Sequence, residues 1–283
     1  MKFDSKLDKL ALSSAIYGGT RNVAHRTQQA VAKVPEITAY FWIIKVLTTG
    51  MGETTSDFLV QHMNPIIAVV LGFIGLVTAL TLQFSVRRYI PWIYWLTVVM
   101  VAIFGTMAAD VLHIGLGIPY LVTTIFFLLA LAVIFIAWYA SEKTLSIHSI
   151  NTRRREVFYW ATVLATFALG TAAGDMTATT LHLGYFSSGI MFAILIAIVA
   201  IAHYITKTIL GAEHRRLSSN AVLAFWLAYI LTRPLGASVA DWAGVSQARG
   251  GLNLGDGPVS FVLLIIIICF ISYLTVSRKD IKS

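Results

Sequence analysis

Charge is scarce in this chain. Only 12% of its 283 residues are Asp, Glu, Lys or Arg, about half the share of a soluble domain. Cysteine occurs once, at Cys269 inside an apolar run, so neither a disulfide nor a cysteine metal cluster can form within one chain. Apolar residues fill the space: 58% of the chain is hydrophobic and the mean hydropathy is +0.79. An ordinary soluble enzyme, a disordered chain and a nucleic-acid-binding module are excluded by this composition. The formal net charge of +8 suggests a nucleic-acid partner only until its distribution is mapped.

Apolar runs long enough to cross a ~30 Å hydrocarbon core recur eight times, near 37–60, 64–84, 91–113, 117–139, 157–182, 186–206, 221–244 and 258–277. Their connections alternate between basic and nearly uncharged. One set contains Arg87-Arg88, then Lys143 with Arg153-Arg154-Arg155, then Lys207 with Arg215-Arg216, and the chain ends with Arg278, Lys279 and Lys282. The opposite loops hold only Arg249. The positive-inside rule therefore places both termini in the cytoplasm of a bacterial inner membrane, and no nucleic acid is inferred. The first 33 residues carry six Lys/Arg and no apolar core of signal-peptide length, so residues 1–34 read as a cytoplasmic tail. A short amphipathic helix is expected around Lys6–Tyr17. The membrane domain is expected over 35–278, with repeats at 35–86, 90–141, 155–206 and 220–277 and a short cytoplasmic end at 279–283.

The repeats announce themselves by spacing. Trp42, Trp95, Trp160 and Trp226 each follow an aromatic residue (Phe41, Tyr94, Tyr159, Phe225) on an odd-numbered span. Ten residues after each Trp comes a glycine: Gly52, Gly105, Gly170, Gly236. Five further on comes an aspartate: Asp57, Asp110, Asp175, Asp241. All four copies enter from the same side. The expected fold is thus all-α and polytopic, with eight transmembrane helices arranged as four parallel, pseudo-symmetric hairpins rather than inverted repeats.

With these residues on the page, the chain resembles the bacterial membrane-protein family built of four tandem two-helix repeats, each with a characteristic tryptophan. The resemblance covers residues 35–278. It is most specific in Lys33-Val-Pro-Glu-Ile-Thr-Ala-Tyr-Phe-Trp42 and in Thr48-Thr-Gly-Met-Gly-Glu-Thr-Thr-Ser-Asp57. It implies the fold and membrane anchoring, and it assigns no activity.

Helix rise converts spacing into depth. With each repeat Trp at the inner interface, its Gly lies ~15 Å higher, near the midplane, and its Asp ~22 Å up. Intramembrane acids usually face a bundle interior and mark ion pathways, so the four aspartates are candidate ion ligands. The residue four before each Asp lies on the same face, one turn deeper: Glu53, Thr106, Thr171 and Ala237. A carboxylate at the depth of Glu53 must be protonated, paired or bound to a cation. One turn further down the column reads Thr49, Ala102, Phe167, Arg233, and then Lys45, Val98, Val163, Tyr229. In a closed ring repeats 1 and 4 are neighbours, so Arg233 is expected to pair with Glu53 or Asp57. Lys45 is expected to snorkel towards the cytoplasm, and Pro234 to kink the seventh span. The glycines read as close-packing sites, the tryptophans as interface anchors or inter-repeat packing. His113 and His182 open the outer loops of repeats 2 and 3, either as solvent-facing loop residues or as extra ligands beside the aspartates.

Carboxylates with optional imidazole suit Mn²⁺, Mg²⁺ or a similar ion. The expected function is a transporter or channel-like carrier of a small inorganic cation, Mn²⁺ first. Glu53, Asp57, Asp110, Asp175 and Asp241 would be ligands and Arg233 and Lys45 counter-charges. Protons, which carboxylates also exchange, are a candidate coupled ion. No covalent cofactor is expected, and a bound divalent cation is. The alternatives are an anion or small-solute carrier using Arg233 and Lys45, and a structural or sensory membrane protein. The chain has no His-rich metal motif, nucleophile elbow or lipid-phosphate motif, so no enzyme is expected. The bilayer is the expected partner, and the sequence leaves a homo-oligomer open.

Overall fold

A computed structural model describes residues 33–209 and 214–281, and the helix expected around Lys6–Tyr17 lies outside them. Among the described residues the chain forms eight long helices: α1 (Ala39–His62), α2 (Pro65–Ser85), α3 (Pro91–Asp110), α4 (Tyr120–Glu142), α5 (Arg153–Asp175), α6 (Tyr185–Ile209), α7 (His214–Gly244) and α8 (Asp256–Ser277). Local chemistry sets their ends. Thr38 caps α1 by accepting from the Phe41 amide, and Thr152 caps α5 through the Arg155 amide. Asn64 caps α2, and Pro65 and Pro91 open α2 and α3 at a position where no backbone donor is needed. α4 and α8 stop at Lys143 and Arg278, which adopt left-handed backbone. α7 runs through Pro234 as one helix. It also starts at His214, seven residues before the apolar run that marks it in the sequence.

Seven of the eight helices are long and apolar enough to cross a membrane, and the chain is an integral membrane protein. The exception is α1, which at 24 residues has the length. It lacks the apolarity because Lys45, Glu53 and Asp57 lie along it. Its polar side chains are accommodated because it stands inside the bundle.

The odd helices form a closed inner ring: α1 packs on α3, α3 on α5, α5 on α7, and α7 back on α1. The even helices stand outside. Half or more of each apolar stretch in α3, α5 and α7 is buried, against 17–22% in α2, α4, α6 and α8. Their exposed Leu, Ile, Val and Phe are what a lipid-facing surface requires. The two helices of one sequence repeat are nevertheless poor neighbours. α2 packs mainly on α3, α4 on α5, α6 on α7, and α8 returns to pack on α1. Each outer helix thus covers the inner helix of the following repeat, and the last covers the first.

The ends of the bundle differ. At the end holding the Trp residues, the aromatic before each Trp touches the Trp of the next repeat. The pairs are Phe41–Trp95, Tyr94–Trp160, Tyr159–Trp226 and Phe225–Trp42, with centroids 5.5–6.3 Å apart. Trp95, Trp160 and Trp226 are buried and Trp42 partly so. The repeat tryptophans therefore pack between repeats. The segment expected as tail contributes to the same end. Lys33 forms a buried ion pair with Glu156 at 2.6 Å, Gln83 joins it at 3.1 Å, and Val34 enters the core. At the other chain end Asp280 is buried and accepts from Tyr89 at 2.7 Å. Lys33, Val34 and Asp280 thus pack against the helix bundle.

Candidate functional site

The repeat glycines let the inner helices approach closely. Gly52 faces Ala102, Gly105 faces Phe167, Gly170 faces Arg233 and Gly236 faces Thr49, close enough that an added Cβ would collide with each. Each glycine of one repeat meets the same column position of the next, around the full circle. This is the close packing expected of small residues in membrane helices.

Along the axis, from the aromatic end, the layers fill in turn. Above the aromatic girdle, whose Tyr94 and Tyr159 hydroxyls are hydrogen-bonded to each other, comes Lys45. It is buried, and its ammonium lies 4.1 Å from the ring centre of Phe167 and 4.3 Å from that of Tyr229. The expectation that Lys45 snorkels is incorrect. The girdle lies between it and the helix start, and two aromatic faces take the place of water. Its Nζ has no hydrogen-bond partner among the described residues.

Arg233 fills the next layer and is fully buried. Its Nη2 donates to Glu53 Oε2, to Thr106 Oγ1 and, at 2.6 Å, to Thr171 Oγ1, while Nη1 donates to the Thr49 carbonyl at 3.2 Å. Thr106 also lies 3.2 Å from Glu53 Oε2, and Thr171 3.5 Å. Four inner helices thus converge on one guanidinium, and the expected pairing of Arg233 with Glu53 is present. Paired burial is the condition under which a charge at this depth is tolerable. Thr106 and Thr171, which the sequence places only in the column of Glu53, are partners in the same cluster.

Above this layer lie the aspartates. Carboxyl oxygens of Glu53, Asp175 and Asp241 come within 4.8 Å of one another. Asp57 and Asp110 are half-buried and stay outside this trio. All four aspartates lie outside the ion pairs of the described residues. Just past Asp110 and Asp175 the helices widen into single π turns, Val111–Gly115 and Met176–Thr180. Such turns frequently mark functional positions. The histidines stand apart from the carboxylates. His113 is hydrogen-bonded to the Ile118 carbonyl at 2.7 Å and stacks on Tyr120. His182 is exposed in a left-handed loop position. Neither joins the trio.

A closed ring of tandem helical repeats around a buried arginine defines a class: integral membrane proteins made of internal two-helix repeats. The chain matches the family model described as Repeat of Unknown Function (DUF347) four times, at residues 40–89, 93–144, 158–208 and 224–280, and it belongs to that family. No curated protein and no solved structure matches it.

Proposed function

We propose that the protein is a carrier of a small divalent cation, with Mn²⁺ as the first candidate and protons as the candidate coupled ion. The observation that carries this reading is the convergence of Glu53, Asp175 and Asp241 within 4.8 Å of one another. Metal–oxygen distances of about 2.1–2.6 Å put opposite ligands on one hard cation about 4.2–5.2 Å apart, so three such oxygens suit one ion. Asp57 and Asp110, at equivalent repeat positions, would hand the ion to the trio. Glu53 is shared between the trio and Arg233. A cation arriving at the trio competes with the guanidinium for the same carboxylate, which makes Arg233 a tethered stand-in for the ion. The reading is of a carrier and not of an enzyme. By the positive-inside rule the aromatic end faces the cytoplasm of a bacterial inner membrane and the acids face outward.

The test is flux of Mn²⁺, Mg²⁺, Ca²⁺ and Zn²⁺ into proteoliposomes. Asp175→Asn and Asp241→Asn are compared with the wild type because neither aspartate is a partner of Arg233. Wild-type flux of at least one ion, lost in both variants, is expected. No flux of any ion through folded, inserted protein overturns the reading. One observation favours a second reading, an anion or small-solute carrier: Lys45 Nζ and Arg233 Nε lack acceptors among the described residues. On that reading Arg233→Gln abolishes transport and the aspartate changes do not.

A further inference from the structure

The end of the bundle that carries Lys33 and Asp280 also carries a cavity of about 1040 Å³. It lies where the outer helix α8 packs on α1 and touches α3. Glu36 and Thr38 line it from the lead-in to α1, Arg88 from the α2–α3 loop, and Ser277, Arg278 and Lys279 from the end of α8. Three cations thus face one acid. Arg88 and Arg278 are exposed and form no ion pair among the described residues. Lys279 is held in place, its ammonium 2.6 Å from the Tyr273 hydroxyl and 5.2 and 5.8 Å from the ring centres of Tyr273 and Tyr40. The Ser277 hydroxyl is buried without a partner. The nearby Asp280 is turned inward. It is 2% exposed, its Oδ2 accepting from Tyr89 and its carbonyl from the Glu36 amide at 2.9 Å, while Oδ1 is buried without a partner among the described residues.

This is a donor-rich, positively charged cavity at the polar end of a largely lipid-exposed helix, the depth at which headgroup phosphates lie. We propose that it binds the phosphate of an acidic phospholipid headgroup. Arg88 and Arg278 present planar forks to the phosphate oxygens, Lys279 adds charge, and the acyl chains lie along α8. The volume is that of a small-molecule site. Because its walls come from the lead-in to α1, the end of α8 and the loop entering α3, a bound headgroup bridges the outer helix α8 to the inner ring. The lipid therefore stabilises the closed bundle by mass action. This site stands independently of the cation reading.

The test uses the full chain purified in detergent, with unfolding followed by tryptophan fluorescence. Phosphatidylglycerol, phosphatidylcholine and inorganic phosphate are added separately to the wild type and to Arg88→Gln/Arg278→Gln. Phosphatidylglycerol is expected to raise the wild-type Tm saturably and phosphatidylcholine to leave it unchanged. The shift should vanish in the double variant, whose Tm without lipid matches the wild type. Equal shifts with both lipids, or a phosphatidylglycerol shift that survives in the variant, overturn the site. A full shift from inorganic phosphate alone overturns the lipid assignment in favour of a soluble phosphate compound. Should the double variant not fold, Arg88→Gln alone is expected to weaken phosphatidylglycerol binding about tenfold, the worth of one charge-assisted hydrogen bond. Native mass spectrometry reads this, and unchanged binding overturns the proposal.

Discussion

Removing one member of a buried ion pair leaves the other charge without a partner, and this usually costs about 3–5 kcal/mol. Arg233 and Glu53 are both buried and bonded to each other, so Arg233→Met is expected to destabilise the protein on that scale. Thr106 and Thr171 share the same guanidinium, which makes the cluster cooperative. Glu53→Gln combined with Arg233→Met should therefore cost less than the two single changes added together. Thermal unfolding of all three variants measures the difference, and additivity would mean that the two residues act separately. Lys45 poses a different residue-scale question, because its partners are aromatic faces. Tyr229→Leu removes one of them, and a loss of about 0.5–2 kcal/mol beyond that from the change in packing is expected. The same loss in a Lys45→Met background would show that the ammonium is not involved.

At the scale of the element, the glycines separate two kinds of contact. An alanine at Gly52 meets the Cβ and backbone of Ala102, which cannot move without parting α1 from α3. An alanine at Gly75 meets the tip of Met100, a flexible side chain that can swing aside. Gly52→Ala is therefore expected to cost about 1–3 kcal/mol, and Gly75→Ala close to nothing. Their Tm values decide it. The sequence displays the first kind of glycine plainly, because Gly52, Gly105, Gly170 and Gly236 recur at a fixed distance from Trp and Asp. It also gives the pairing of Arg233 with Glu53, since the equivalent columns of repeats 1 and 4, neighbours in a closed ring, carry the two polar positions. Other features are not legible in the chain. Lys45 has the spacing of a snorkelling residue, and only the girdle formed by other repeats shows that its path to water is blocked. The π turns after Asp110 and Asp175 leave no mark in residue type. The partnership of Lys33 with Glu156 joins positions 123 apart, and its one local signal is an acid at the start of α5 directly after three arginines.

The molecule as a whole is held by long-range seams. α7 contacts α1, α5 and α6, and α8 contacts α1, so the fourth repeat is secured on both sides by parts of the chain made earlier. Two separately expressed pieces, 1–211 and 212–283, are therefore expected to assemble in the membrane and co-purify in detergent. Failure to co-purify, with each piece inserted on its own, would show that covalent linkage and not packing holds the last repeat in the ring.

The offset by which each outer helix covers the next repeat has a consequence in time. Of the eight helices α1 leaves the ribosome earliest, and it carries Lys45, Glu53 and Asp57 into the bilayer. Its outer cover, α8, is made after the other seven, and Arg233 follows Glu53 by 180 residues. At about 5–20 residues per second that separation lasts roughly 9–36 s. For that interval the nascent chain holds an unanswered carboxylate in α1. Biogenesis must therefore either delay the lateral release of α1 or shelter it until the fourth repeat arrives.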